Sequence, residues 1–129
     1  MTYLTPAQVL FIHARLIAET GGDGGIRDLG LLAAAVARPR ATFDDMDLYR
    51  NLFHAVATLM ESIVLNNPFV DGNKRVGITA AGLFLQLNGR RLVASHAELE
   101  SFTLSVARGE TDQAGMAAWF EQQSEPYHG

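Results

Sequence analysis

The amino-acid sequence predicts an all-α protein, a single compact domain of about six helices with a short polar loop between two central core helices. Apolar residues recur at intervals of three and four in several long segments, as on the buried face of a helix. Glycine, proline and capping residues separate these segments, and no alternating pattern predicts a strand ladder. A length of 129 residues is that of one domain, so residues 1–129 are taken as one unit.

The first helix is predicted to begin after Thr5, a suitable N-cap, with Pro6 at its first position, and to stop at the glycines that follow Thr20. His13 lies on or beside its apolar face. We interpret it as a buried or interface histidine rather than a catalytic one, because no carboxylate adjoins it in sequence.

The glycine-rich segment Gly21–Gly25 is either a flap over a binding site or a surface connection. Asp28 is predicted to cap a second helix, Leu29–Ala37, which ends at Arg38-Pro39. Three arginines of this region are interpreted as a solvated surface rather than as a positive rim for an anionic ligand, namely Arg38, Arg40 and Arg50. A small acidic cluster before the third helix fits the electrostatics of a helix start better than a metal site; it consists of Asp44, Asp45 and Asp47.

Two strongly apolar helices are predicted on either side of the polar loop. The first runs from Leu48 to about Leu65 and ends where Pro68 follows two asparagines. Glu61, near its end, is expected to be solvated rather than a buried carboxylate at the edge of the core. The second runs from Val76 to Leu87, and Gly77 permits another helix to approach it closely.

The remainder of the chain predicts an extended segment, two shorter helices and a tail. Arg90–Ala94 is predicted to be extended, and Ser95 with Glu98 three residues later forms the pattern of a capping box. Thr111 is the predicted cap of the last helix. Residues from Ser124 to Gly129 are expected to be a frayed tail.

Composition excludes several classes of protein. A net charge of −4 argues against a general nucleic-acid binder, although a locally basic site remains possible. The absence of cysteine excludes disulfides and cysteine-ligated zinc. The N-terminal residues do not form a signal peptide and no apolar run is long enough for a membrane span, so we expect a cytoplasmic protein.

Chemistry is concentrated in the polar loop. Asp71 supplies a carboxylate, Gly72 allows close approach of a ligand to the backbone, and Asn73, Lys74 and Arg75 place donors and positive charge at the start of a helix. Free backbone N–H groups and the helix dipole add to these side chains, and the combination is typical of a phosphate site.

The stretch Asn67-Pro68-Phe69-Val70-Asp71-Gly72-Asn73-Lys74-Arg75 resembles the signature of the Fic/Doc family, His-x-Phe-x-Asp/Glu/Ala-Gly/Ala-Asn-Gly/Lys-Arg. Eight of the nine positions fit, a far more specific match than a lone glycine-rich loop. The resemblance covers most of the chain, including the segment from Gly25 to Asp28. Lys74, the short chain and the helical layout are most similar to the Doc (death-on-curing) toxins.

The resemblance implies a helical protein that uses ATP and Mg²⁺ to modify a hydroxyl of another protein. Most Fic proteins transfer AMP, whereas Doc-type proteins transfer the γ-phosphate and act as kinases. Lys74 favours the Doc class, because AMP transferases usually have glycine there and carry a second arginine at the position of Ile78. An AMP transferase remains an alternative.

The family roles can be carried onto matching positions. Asp71 matches the acidic position that holds Mg²⁺. Gly72 and Asn73 match the turn that cradles phosphate, and Asn73 also offers a side-chain amide. Lys74 and Arg75 match the cations that neutralise charge during phosphoryl transfer. Phe69 anchors the loop on the core by analogy.

Asn67 departs from the family, which has histidine there as the general base. An amide cannot take up a proton near neutral pH, and loss of a positioned base costs about 10²–10⁴ in rate. Either Asn67 is native and the chain binds without catalysing, or it is a change that silences a toxin. His13 and His54 are alternative bases.

The resemblance also implies partners. It points to elongation factor Tu as the protein substrate. It also points to a small Phd-like antitoxin that folds into a surface groove, because we find no internal inhibitory motif and control would then come from a separate chain. The flap that docks the substrate is predicted to be either Gly21–Gly25 or Arg90–Ala94.

Overall fold

The computed structural model describes residues 1–40 and 48–129, and this part of the chain is built from six α-helices. They are α1 (Pro6–Thr20), α2 (Leu29–Ala37), α3 (Leu48–Asn66), α4 (Asn73–Leu87), α5 (His96–Ala107) and α6 (Gln113–Gln122). A 3₁₀ turn, Arg38–Arg40, follows α2. The prediction of an all-α fold is confirmed. The acidic cluster Asp44, Asp45 and Asp47 lies outside the described residues.

The core is built around α3. This helix packs chiefly against α4 and α6, and also against α2 and α5. Its buried side chains point in all directions, which is typical of a helix surrounded by others; they include Leu52, Phe53, Val56, Leu59, Met60 and Ile63. The polar loop leaves the C-terminal end of this central helix, so the site lies at the edge of the hydrophobic core.

The contact between α3 and α4 depends on a small residue. A Cβ atom built on Gly77 would stand 2.5 Å from Cγ2 of Val64, so any side chain there would push the two helices apart. The predicted close approach at Gly77 is therefore confirmed. It fixes the separation of the two helices that hold the polar loop.

Side chains cap most helix starts as predicted. Thr5 and Gln8 form a capping box on α1, Ser95 and Glu98 form another on α5, and Asp28 caps α2. Two details differ from the predictions and are corrected here.

The first difference is that the cap of α6 is Asp112 rather than Thr111. The carboxylate of Asp112 accepts a hydrogen bond of 2.8 Å from the backbone N–H of Gly115. The hydroxyl of Thr111 lies instead 3.0 Å from Ser105 Oγ. The second difference is that α4 begins at Asn73, three residues before the predicted Val76, so the basic residues of the motif form its first turn.

The predicted frayed tail is wrong. Residues Ser124–Pro126 form strand β2, which pairs antiparallel with β1 (Arg90–Leu92). Arg90 donates a hydrogen bond of 2.8 Å to the carbonyl of Ser124, and Arg91 pairs with Glu125 at 2.6 Å. Backbone pairing and two arginine contacts thus hold a segment that carries no apolar pattern of its own.

Glu61 is also not the solvated residue that was expected. Its carboxylate pairs with Arg38 at 3.1 Å and accepts a hydrogen bond of 3.0 Å from Gln113. The side chain of Glu61 is 20% exposed and that of Arg38 is 40% exposed, so this pair joins three segments at the edge of the core. The expectation that Arg38 is only a surface residue is corrected accordingly.

A separate feature of the helices concerns membranes. None of those in the described ranges is both long and apolar enough to span a bilayer.

Candidate functional site

The polar loop between α3 and α4 (the motif loop, residues 67–72) makes two turns with left-handed backbone geometry. Asn67 has a φ of 51° and Gly72 has a φ of 84°. Between them Pro68 and Phe69 are buried, whereas Val70 and Asp71 are exposed. The loop therefore anchors itself on the core in its middle and presents Asp71 to solvent beside the start of α4.

Asn73 locks this shape. Its side-chain Oδ1 accepts a hydrogen bond of 3.0 Å from the N–H of Phe69, and its Nδ2 donates one of 2.9 Å to the carbonyl of Phe69. The side chain is only 9% exposed. The amide that was predicted to face phosphate is thus used within the loop, which leaves the backbone N–H of Asn73 as its contribution to a ligand.

The N-terminus of α4 is open. Gly72 provides no side-chain cap, and the first backbone hydrogen bond into the helix runs from Val76 to Gly72. Within the described part of the chain, the N–H groups of Asn73, Lys74 and Arg75 have no backbone acceptor. An uncapped N-terminus of this kind attracts anions through its free N–H groups and its dipole.

All the predicted site residues line one open cleft of about 430 Å³ (the motif cleft). Lys74 is exposed and has no ion-pair partner among the described residues. Unpaired positive charge beside an open helix start suits a polyanionic ligand. The cleft is lined by Val64, Asn67, Val70, Asp71, Gly72, Asn73, Lys74, Arg75 and Ala107.

Arg75 is held from the side by α1. Its guanidinium donates a hydrogen bond to the hydroxyl of Thr20, and that hydroxyl in turn donates to the carbonyl of Leu16 at 2.7 Å. Arg75 is half-buried. The last turn of α1 therefore orients this cation, although nothing in the local sequence connects it with the motif.

Among the described residues that line the motif cleft, Asp71 is the only acidic one. One carboxylate oxygen accepts a hydrogen bond of 2.8 Å from the N–H of Gly72, and the other accepts one of 3.3 Å from the N–H of Asp23. The described residues contain no cluster of three acidic or histidine side chains that could hold a metal by themselves. A single carboxylate fits Mg²⁺ that is bound mainly by phosphates and water.

Asn67, at the position of the expected base, turns its side chain back toward its own helix. Its Nδ2 donates to the carbonyl of Leu65 at 3.3 Å. Nε2 of His13, one of the alternative bases, is 2.9 Å from the carbonyl of Asp71 and is therefore occupied. His54, the other alternative, is not among the residues that line the motif cleft.

The segment from Gly22 to Asp28 packs along the motif loop, a contact that the sequence did not predict. Val70 donates to the carbonyl of Gly25 at 3.0 Å, while the N–H groups of Arg27 and Asp28 donate to the carbonyl of Pro68 at 2.8 and 3.0 Å. Ile26 and Phe69 form an isolated antiparallel bridge. Two segments some forty residues apart thus lie edge to edge.

Two residues of the segment from Gly22 to Asp28 are especially close to the motif. The side chain of Arg27 donates to the carbonyls of Asn66 and Asn67, the latter at 2.6 Å, and so holds the end of α3. A Cβ atom on Gly22, which has a φ of 115°, would stand 2.4 Å from a carboxylate oxygen of Asp71. Glycine is therefore required where the loop crosses Asp71. The structure thus places the loop Gly21–Gly25 against Asp71.

A second depression adjoins the motif cleft (the apolar groove). It has a volume of about 560 Å³ and lies between α1, α4 and α5. Lys74 and Arg75 line both it and the motif cleft. The other lining residues are mainly aliphatic or hydroxyl-bearing, namely Leu16, Thr20, Ile78, Thr79, Leu99, Thr103 and Leu104, with His96 and Glu100.

Comparison with known proteins agrees with these features. A family model described as the Fic/DOC family matches residues 3–85, which include α1, α3 and the whole motif loop. The chain is similar to Toxin Doc of Mycolicibacterium smegmatis, with 49% identity over 74 residues, or 57% of each protein. It is also similar to Protein kinase doc of Escherichia phage P1, with 30% identity over 117 residues, or 91% of each protein.

The match to the family model and the phage relative both extend well beyond the nine-residue motif. They include the two helices that flank the motif loop, the segment from Gly22 to Asp28 that packs along this loop, and the helix that holds Arg75. Similarity of this extent, together with the six-helix architecture, establishes that the chain belongs to the Fic/Doc family.

Proposed function

We propose that this protein is a Doc-type toxin that binds ATP with Mg²⁺ and directs the γ-phosphate to a hydroxyl of a translation factor. One observation carries the proposal: the open N-terminus of α4, the side chains of Lys74 and Arg75, and the carboxylate of Asp71 all face the same cleft. Two relatives named as a toxin and as a protein kinase support it. The candidate substrate is elongation factor Tu, as the family resemblance implies.

Each group has a role in such a transfer. The free N–H groups of Asn73, Lys74 and Arg75, together with the side chains of Lys74 and Arg75, would hold phosphate oxygens and stabilise the charge that develops on them. Asp71 would hold Mg²⁺, which neutralises phosphate charge when bound. The side chains of Asn73 and Arg27 keep the loop in place without touching the nucleotide.

In the reaction, the hydroxyl oxygen of the substrate bonds to the γ-phosphorus, and the bond from that phosphorus to the oxygen bridging to the β-phosphate breaks, so that ADP leaves. The hydroxyl proton requires an acceptor. Asn67 cannot accept it, because a neutral amide is not a base near pH 7. The chain should therefore bind ATP well and transfer phosphate slowly, by a factor of about 10²–10⁴ relative to a histidine at this position.

A second candidate function is a binding module of the same fold that holds nucleotide and catalyses nothing. The specific observation in its favour is Asn67, whose amide is turned to the carbonyl of Leu65 rather than into the cleft. On this view Asn67 serves the left-handed turn at the end of α3, a conformation that asparagine adopts more readily than most residues.

The apolar groove is our candidate site for an antitoxin. It offers aliphatic side chains for the apolar face of a helical or extended peptide, and Lys74 and Arg75 at one side for acidic residues of that peptide. An occupant would contact the same two cations that face the motif cleft. A small antitoxin with an acidic, partly apolar terminal segment is the partner we expect.

The decisive experiment compares the wild-type chain with Asn67→His and Asn67→Gln. Each protein is incubated with elongation factor Tu, Mg²⁺ and ATP labelled at either the α- or the γ-phosphate. We expect γ-label on the factor to increase by about 10²–10⁴ in Asn67→His. Asn67→Gln is the control, because it changes the side chain without adding a base.

Three results would change the proposal. Label that comes only from α-labelled ATP would replace phosphate transfer by AMP transfer. Failure of Asn67→His to label any protein of a cell extract, while it still binds ATP, would favour the binding module. Equal labelling by Asn67→Gln and Asn67→His would mean that the base is another residue.

A further inference from the structure

His13 connects α1 to the end of the motif loop that carries Asp71. Its side chain is 3% exposed, so its predicted burial is confirmed. The ring stacks on Phe69 with a centroid separation of 3.9 Å and an angle of 7°. Nε2 lies 2.9 Å from the carbonyl oxygen of Asp71, a residue 58 positions away in the chain.

This contact determines which nitrogen of His13 carries the proton. A carbonyl oxygen can only accept a hydrogen bond, so Nε2 must be protonated and must donate. In this arrangement Nε2 cannot serve as the general base that Asn67 fails to provide. The ring acts as a donor and as a flat surface beneath the loop.

The contact is well placed to fix the carboxylate of Asp71. That side chain is exposed. Its own hydrogen bonds come from the adjacent N–H of Gly72 and, at the longer distance of 3.3 Å, from the N–H of Asp23 in the glycine-rich loop. The bond from His13 holds the main chain of Asp71 itself. Together with the stacking on Phe69, it ties the exposed end of the loop to the buried face of α1.

We propose that His13 is a positioning residue for Asp71: it holds the carbonyl of Asp71 so that the carboxylate meets a metal ion beside the open N-terminus of α4. This inference rests on the proposed function, because it concerns the Mg²⁺ of a bound nucleotide. Binding of the metal–nucleotide complex depends on the bond from His13 more than binding of the nucleotide alone does.

The test uses two substitutions that separate the ring from the donor. His13→Phe keeps an aromatic ring against Phe69 and removes the hydrogen bond to Asp71. His13→Gln keeps a donor at a similar distance from the main chain and removes the ring. His128→Phe, in the exposed C-terminal segment, is the matched control for the first substitution.

Affinity for ATP is measured by calorimetry for each variant, once with Mg²⁺ and once with EDTA, and the melting temperature is recorded alongside. We expect His13→Phe to lose about 2- to 10-fold of the gain in affinity that Mg²⁺ provides, the usual range for one hydrogen bond. His13→Gln should keep most of that gain. His128→Phe should keep all of it.

A merely structural histidine would behave differently. It would lower the melting temperature when replaced but leave the ratio of the two affinities unchanged, and that result in His13→Phe would overturn the proposal. Equal loss of the ratio in His13→Gln would also overturn it, since the donor would then not be the cause. If the wild-type chain does not bind ATP with Mg²⁺, the proposed function itself fails and the role of His13 fails with it.

Discussion

Helices α4 and α5 both begin after a loop, but side chains cap the start of α5 and leave the start of α4 uncapped. At α5 the hydroxyl of Ser95 accepts from the N–H of Glu98 at 3.1 Å, and the carboxylate of Glu98 accepts from the N–H of Ser95 at 3.0 Å. At α4, Gly72 has no side chain to offer, and Asn73 turns its amide to the loop instead. The chain satisfies one helix start and leaves the other open.

The contrast extends to the other helices whose starts the structure describes. α1, α2 and α6 are also capped by side chains, from Thr5, Asp28 and Asp112. A free helix start costs stability that a cap would restore, typically about 1 kcal/mol. Leaving the start of α4 open is therefore a cost, and it falls at a place where an anionic ligand can supply the missing acceptors.

The largest effect that separates the two helix starts is expected from Lys74→Met. Removing an unpaired cation beside the open start should weaken ATP binding by roughly 10- to 100-fold, the range of a hydrogen bond to a charged group. The melting temperature should hardly change, because Lys74 is exposed and forms no ion pair within the described residues. Calorimetric titration with ATP and thermal unfolding measure the two quantities.

Lys74 also permits a direct check, because it is the only lysine of the chain. ATP should protect it from an amine-selective reagent, and mass spectrometry after digestion would quantify its modification. The chain's α-amino group provides the internal control. Equal modification of Lys74 with and without saturating ATP would contradict its place in the site.

A smaller effect of the opposite kind is expected from Ser95→Ala. Loss of the cap should reduce the free energy of unfolding by about 1 kcal/mol, because the N–H of Glu98 loses its acceptor. Affinity for ATP should stay unchanged. Ser95→Thr, which keeps a hydroxyl, is the control in the same denaturation and titration series. If Ser95→Ala changed the free energy of ATP binding by more than it changed the free energy of unfolding, the two helix starts would be coupled.

The smallest effect concerns the charge of Glu98. Hydrogen bonds from the backbone and the hydroxyl of Ser95 lower the pKa of this carboxyl below its ordinary value. A lowered pKa in the folded state means that ionised Glu98 stabilises the fold above its unfolded pKa and that this stabilisation disappears as the pH falls through the folded pKa. The melting temperatures of wild type and Glu98→Gln should therefore differ at neutral pH and converge in acid. A difference that is independent of pH would rule out the charge as its cause.

Much of the fold follows from local signals in the sequence. The caps Thr5, Asp28 and Ser95 act on residues three positions away, so a short window contains the whole interaction. Burial of His13 was likewise predictable from its position on an apolar helix face. Its partner was not, because the carbonyl of Asp71 is brought to it only by packing of α1 against α4.

The same limit explains the other differences. Strand β2 exists because residues near 90 pair with residues near 125, and its own sequence has no pattern that indicates a strand. Arg27 holds the end of α3 through carbonyl groups, which carry no mark of residue type. For the site, the motif predicted which residues gather in one cleft, whereas the packing of residues 25–28 along the motif loop depends on contacts between distant segments.

The sharing of Lys74 and Arg75 between the motif cleft and the apolar groove has a thermodynamic consequence. A ligand in the groove that moves either cation changes the affinity of the cleft for anions, and linkage requires an anion in the cleft to change the affinity of the groove by the same factor. Arg75 also has a fixed contact with Thr20, which lines the groove, so the coupling does not depend on Lys74 alone. The level of nucleotide would then help to set how strongly a groove-bound partner is held.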